Sequence, residues 1–200
     1  MAFLRAGIGS ETAVVQGRGL WLRAPLMGDY GPWAELRTLS RAHLVPWEPA
    51  WPRDDLSKSG YRRRLRHYQR EARDDLGYAF LMFEAATDKL MGGVTLSNVR
   101  RGVTQSATLG YWLGLPFVRQ GHMTEAVRAI TAHSFETLRL HRVEAAVQPV
   151  NEPSLRVLER VGFVREGLAR RYLKINGVWQ DHYLYAAIAE DWQNAEARRA

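Results

Sequence analysis

Apolar residues recur along this chain with two different periods, and the switches between them mark the elements. Leu20, Leu22 and Ala24 alternate against Trp21 and Arg23, which predicts a strand over residues 19–25. From Asp29 the period lengthens. Trp33, Leu36 and Leu39 share one side of a helix that Asp29 caps and that runs to about residue 44. Three Pro and two Trp within residues 45–52 forbid regular structure yet are too apolar to leave in water, so this stretch reads as a packed loop and a pocket wall. A second helix is predicted over 60–74, then strands over 78–85, 89–98 and 107–115, with turns near Asp88 and at Arg101-Gly102.

Residues 121–139 return to the helical period, with Met123, Ala126, Val127, Ile130 and Leu138 on one stripe. Residues 141–148 read as a strand. Asn151 then caps a helix that buries Leu155, Leu158 and Val161, ends at Gly162 and folds Phe163 back onto itself. Strands over 163–175 and 178–187 flank Asn176-Gly177, a strong local hairpin signal. This order predicts an α+β fold, a mixed and mostly antiparallel central sheet with helices on both faces. Residues 1–18 show no period and read as a lead-in, 19–188 as a single domain, and 189–200 as a tail.

Composition narrows the function. At 200 residues, 46% apolar and without cysteine, the chain suits one packed domain and holds neither thiolate metal sites nor a Cys nucleophile. No apolar run is long enough to span a bilayer, and the first ten residues lack a secretion signal, so the expected setting is cytoplasmic with no membrane partner. The six His form no ligand pattern and no metal is expected. No Gly-x-Ser-x-Gly elbow marks a Ser nucleophile. The charge of +7 suits an anionic partner: nucleic acid, an acidic ribosomal surface or a polyphosphate cofactor. Its densest stretch, residues 53–75, holds eight Lys/Arg against five Asp/Glu and is only +3, a salted helix surface or a docking face.

The richest segment is Val118-Arg119-Gln120-Gly121-His122-Met123-Thr124-Glu125-Ala126, a one-glycine loop running straight into a helix. Such a junction offers free backbone N–H groups and a positive helix end, the requirements of a phosphate site. Asn151-Glu152-Pro153-Ser154 opens a second helix after a strand. Together they suggest a phosphate-bearing cofactor beside a strand and two helix starts.

With its flanks, this segment resembles the GNAT superfamily of acetyl-CoA-dependent N-acetyltransferases across residues 19–188. Of that superfamily's Gln/Arg-x-x-Gly-x-Gly/Ala motif only Gly121 is kept. The flanks Leu109-Gly110-Tyr111-Trp112-Leu113-Gly114, Leu140-His141-Arg142-Val143, Asn151-x-x-Ser154 and Gly162-Phe163-x-x-Glu166-Gly167 are similar to the branch acting on ribosomal-protein N-termini. Trp47-Glu48-Pro49-x-Trp51-Pro52 and Trp179-x-Asp181-His182 resemble its alanine-specific members.

The resemblance implies acetyl-CoA as cosubstrate. Its pyrophosphate would lie on Arg119, Gln120, Gly121, His122, Met123 and Thr124, and its pantetheine would pair with backbone near Leu113 where the strand splays from 141–148. Asn151 would reach the cofactor arm, cap its helix, or do both. Ser154 would hydrogen-bond the leaving sulfur or simply occupy the first helical turn, because the position seven residues after Asn151, a Tyr in many relatives, is Leu158 here. Tyr111 and Tyr172 are further candidates for the acid, or core and pocket wall. Glu166 and Asp181 are candidates to orient a water acting as base, or surface ion-pair residues. The implied reaction is direct attack by an amine, most simply the α-amine of a protein beginning with Ala, a ribosomal protein by resemblance. A small amine or antibiotic as acceptor, and a non-enzymatic basic module binding RNA or the ribosome, remain open alternatives. No direct nucleic-acid readout is expected.

Overall fold

In the computed structural model, which describes residues 14–197, the chain forms a twisted sheet between two helical layers. Its strands are β1 (Val15–Gly17), β2 (Leu20–Arg23), β3 (Tyr78–Glu84), β4 (Leu90–Arg100), β5 (Ser106–Leu113), β6 (Arg142–Val147), β7 (Val164–Ile175) and β8 (Val178–Ile188). The helices are α1 (Tyr30–Leu39), α2 (Arg41–Leu44), α3 (Lys58–Arg73), α4 (His122–Glu136), α5 (Glu152–Val161) and α6 (Ala189–Ala197). The strand order is β1-β2-β3-β4-β5-β6-β8-β7, antiparallel at every junction except β5 with β6. The α+β expectation therefore holds. Among the described residues no helix is long and apolar enough to cross a membrane.

Strand alternation sends the two faces to different cores. Phe80, Met82, Leu109, Val143, Ala145 and Tyr185 join Met123, Ala126, Val127 and Ile130 of α4 and Leu158 and Val161 of α5. Leu81, Phe83 and Leu90 face the other way, onto Trp33 and Leu36 of α1 and Tyr61 of α3. The sheet is thus a wall with a large core on the α4/α5 side and a smaller, aromatic one on the α1/α3 side.

Two elements lie beyond the expected bounds. Residues 15–17, placed in the lead-in, form β1 on the sheet edge; three residues are too few to display an alternation. Residues 189–197, placed in the tail, form α6, whose Trp192 is buried against Phe135. The rest of both segments, 1–13 and 198–200, lies outside the described residues.

The first helix also departs from expectation. It breaks at Ser40, and Leu39 is 60% exposed. The inward stripe is Trp33, Leu36, Arg37, Ser40 and Leu44, so an Arg and a Ser hold positions that hydropathy alone would not assign to a core. Asp29 makes no side-chain cap on α1. Its carboxylate accepts from both terminal nitrogens of Arg23, at 2.7 Å each, and from the Leu26 N–H.

The end of α5 follows the sequence closely. Asn151 accepts the Ser154 N–H, Gly162 sits at φ 108°, and the Phe163 N–H returns to the Leu158 carbonyl. No atom lies within 4 Å of where a Cβ on Gly162 would stand, so Gly162→Ala meets only the left-handed backbone penalty. We expect it to lower unfolding free energy by about 1–2 kcal/mol in urea titration, with the native fold retained.

Candidate active site

The parallel pairing of β5 with β6 covers three residues a side: Ser106 with Arg142, Ala107 with Val143, Thr108 with Glu144. Beyond these the strands part. Residues 109–113 pair only with β4, and residues 145–147 only with β8. The opening faces the carboxyl ends of both strands, where open sheets bind ligands. It leaves one backbone edge of β5, through Leu113, without a neighbouring strand.

The loop from β5 into α4 borders this opening. Gly121, at φ 85°, starts α4, and Arg119 is also left-handed at φ 62°. Among the described residues, the N–H groups of Arg119, Gln120, Gly121, His122, Met123 and Thr124 donate to nothing. Six consecutive free donors at a helix start form an anion cradle. No protein atom lies within 4 Å of the space a Gly121 Cβ would take, so a ligand can approach the backbone there. The Gln120 side chain holds the loop by donating to the Pro116 carbonyl at 3.0 Å and lying 3.4 Å from the His122 ring.

Across the opening, Tyr111 of β5 meets Ser154 of α5, hydroxyl to hydroxyl at 2.8 Å. Burial pushes the Tyr111 phenol above its usual range, so it keeps its proton. Asn151 stands one turn before Ser154 and caps α5. The structure therefore brings together the loop, Leu113, Tyr111, Asn151 and Ser154.

Glu166 is not brought to them. Its carboxylate is held instead by both terminal nitrogens of Arg142, in the closed part of the β5–β6 pair, which lowers its pKa. Arg142 also binds Glu144 and points away from the α4/α5 core. Asp181 is exposed and accepts the Arg171 N–H at 2.7 Å. Tyr172 packs edge-on against His182, whose burial lowers its pKa.

On the opposite face of the sheet is a cavity of about 380 Å³. Its floor is almost bare backbone, from Gly93, Thr95 and Gly110 beside Tyr111 and Trp112. A Cβ on Gly93 would come within 2.7 Å of the Trp112 indole nitrogen and 3.0 Å of the Phe80 carbonyl, so the glycine is what lets Trp112 lie there. Its walls are the Trp/Pro loop and the inner side of α3, and they are charged. Arg37 binds Glu48 through two hydrogen bonds, of 3.1 and 2.6 Å, and Trp51 donates to the same carboxylate at 2.6 Å. The Arg37 guanidinium lies 5.7, 4.3 and 5.0 Å from the rings of Trp33, Trp51 and Trp112. Arg64 binds Asp55 Oδ1 at 2.6 Å, leaving the buried Asp55 Oδ2 without a donor.

The loop is anchored from outside as well. Glu48 gives its carbonyl to the Asn176 N–H in the β7–β8 turn, and Pro46 accepts from Gln148. The expectation of a pocket wall holds, while Arg37, Trp33, Trp112, Asp55 and Arg64 were not singled out by sequence. An Arg one turn after Trp33 on an otherwise apolar stripe was the available signal. Among the described residues no group of His, Asp or Glu is placed to hold a metal.

Residues 19–164 match the acetyltransferase (GNAT) domain family. The probable N-acetyltransferase YjcK of Bacillus subtilis is 44% identical over 138 residues, 69% of this chain and 76% of that protein. The ribosomal protein uS5-alanine N-acetyltransferase of Escherichia coli is 33% identical over 84% of this chain and 87% of its own length. The structure of Mycobacterium smegmatis RimJ in complex with CoA-disulfide superposes with a TM-score of 0.84, at 33% identity, covering 90% of this chain and 88% of that one.

The charged wall can be tested on its own. Glu48→Gln leaves the buried Arg37 guanidinium against a neutral amide. We expect a loss of about 3 kcal/mol in chemical unfolding, against little or no change when the exposed Arg63–Asp54 pair is broken by Asp54→Asn.

Proposed function

The chain belongs to the GNAT acetyltransferase family and is an acetyl-CoA-dependent N-acetyltransferase, and on that premise we propose that its acceptor is the N-terminal α-amine of a protein, a ribosomal protein beginning with Ala. The observation carrying this reading is the cavity on the far side of β5 from the phosphate loop, small enough for a chain end and lined by Glu48 and Asp55. The carboxylates of Glu48 and Asp55 on its wall offer acceptors of the kind that the N–H donors of a peptide terminus require. Likeness to an alanine-specific enzyme over most of the chain supports the same acceptor.

Acetyl-CoA supplies an acetyl group already activated as a thioester. The free N–H groups of residues 119–124 hold its pyrophosphate, and the unpaired edge of β5 near Leu113 receives its arm, with Asn151 beside it. An α-amine has an unperturbed pKa of roughly 8, so on the order of one in ten is already neutral at pH 7, and a strong base is unnecessary. This fits a site whose Glu166 is committed to Arg142. As the amide forms and the C–S bond breaks, the amine gives up a proton to water. Ser154, backed by the protonated Tyr111, donates one to the leaving sulfur. Backbone N–H groups of the parted strand steady the oxyanion.

Acetylation of a panel of N-terminal peptides, Lys peptides and polyamines tests the acceptor. We expect the Ala-initiated peptide to lead by kcat/KM, and its pH profile to rise and level near pH 8 rather than above 10. A lead by polyamines or Lys peptides would overturn the reading. Tyr111→Phe and Ser154→Ala should each lower kcat about ten-fold or more with little change in the KM for acetyl-CoA. Gly121→Trp should abolish calorimetric CoA binding while the peptide site stays folded.

A further inference from the structure

The inner side of α3, with Tyr61, Arg64, Leu65 and Tyr68, lines the acceptor cavity. Its outer side carries Arg62, Arg66, Arg70 and Arg73, all exposed. The intervals of four, four and three residues place them on one stripe, roughly 16 Å long at 1.5 Å per residue. Among the described residues none of the four meets a carboxylate. Asp54 is held by Arg63, Asp55 by Arg64 and Glu71 by His67, while Asp74 lies exposed at the end of the helix. Asp54 and Asp55 thus neutralise the lateral Arg63 and the inner Arg64, while among the described residues the outer stripe forms no ion pair.

We propose that this stripe is a docking surface for the phosphate backbone of RNA, separate from the acetyl-CoA site. Three features favour a polyphosphate over an acidic protein. The cations repeat at axial steps of about 6, 6 and 4.5 Å, a spacing close to that of successive phosphates along a strand. All four are guanidinium groups, whose forked donors match phosphate oxygens two at a time. The residue completing the stripe is Gln69, so it lacks the aromatic or aliphatic centre on which protein interfaces rely. Nothing in it reads bases, so binding is indifferent to sequence. Because the same helix walls the cavity, RNA on its outer side brings protein tails attached to that RNA within reach of the acceptor site.

The test is fluorescence anisotropy with a labelled single-stranded RNA of about 20 nucleotides and mixed sequence. It compares the full chain with the quadruple variant Arg62→Gln, Arg66→Gln, Arg70→Gln, Arg73→Gln. Gln has nearly the helix propensity of Arg, and acetylation of a short free peptide confirms that the variant is folded. Four phosphate contacts predict a log–log salt slope of about −3, an affinity loss near fifty-fold between about 50 and 200 mM salt. The variant should bind at least ten-fold more weakly, with peptide turnover unchanged. A charge-matched control, Arg100→Gln, Arg170→Gln, Arg171→Gln, Lys174→Gln, should lose far less. The proposal is overturned if the stripe variant binds RNA within two-fold of the parent. It also fails if the control loses as much, if the slope is flat, or if polyglutamate of equal charge competes as well as RNA. Peptide turnover is read separately, so a failure here is distinguishable from a failure of the acceptor assignment.

Discussion

The open edge and the layout of this fold depend on a parallel strand pair that holds for three residues and then separates. A sheet that stayed paired would satisfy the outer edge of β5 with β6 and close the way between its two faces. The separation is built into the connectivity. From Leu113 the chain turns through residues 115–117 and enters α4, while β6 is drawn along β8 by six consecutive partners. Ser40 fixes the turn by accepting the Leu115 N–H at 2.9 Å, tying the end of β5 to the break between α1 and α2. The opening is therefore braced from both sides. Tyr111 borders it, with its hydroxyl on Ser154 of α5 and its backbone on the floor of the cavity.

The second constraint is electrostatic. Arg37 is 6% exposed, and a buried guanidinium is stable only when its charge is matched and its surroundings are polarisable. Glu48 supplies the charge and three indole rings supply the rest. This one side chain holds the Trp/Pro loop, α1 and β5 in register around the cavity. Contrary to the expectation of no regular structure, the loop opens with a 3-10 turn over Val45–Trp47; the order of the rest comes from that cluster and from the two carbonyl ties to Asn176 and Gln148.

Elements were legible in the sequence wherever local chemistry agreed with tertiary need. The α5 unit, from the Asn151 cap to the Gly162 stop, is an example, as is the Asn176-Gly177 hairpin, where both residues are left-handed. The donor-rich loop before α4 was legible because free N–H groups at a helix start follow from one glycine and a helical period. The charged cavity wall was not, since its charges sit where hydropathy predicts a core and its ion pairs join residues 9 and 11 positions apart. Nor was the isolation of Glu166, which depends on Arg142 from a different strand, 24 residues away. β1 and α6 were missed for lack of length, and Leu39 because Arg37 and Ser40 displaced it from the inward stripe.

The bond from the Asn176 amide to the Glu48 carbonyl joins the tip of the β7–β8 hairpin to the wall of the cavity. That amide points where it does only because the two-residue turn holds its left-handed shape. The turn is thus a remote setting screw for the cavity. Its backbone geometry fixes how far the Trp/Pro loop can swing, and amide exchange at Asn176 becomes a direct readout of how often the loop lets go.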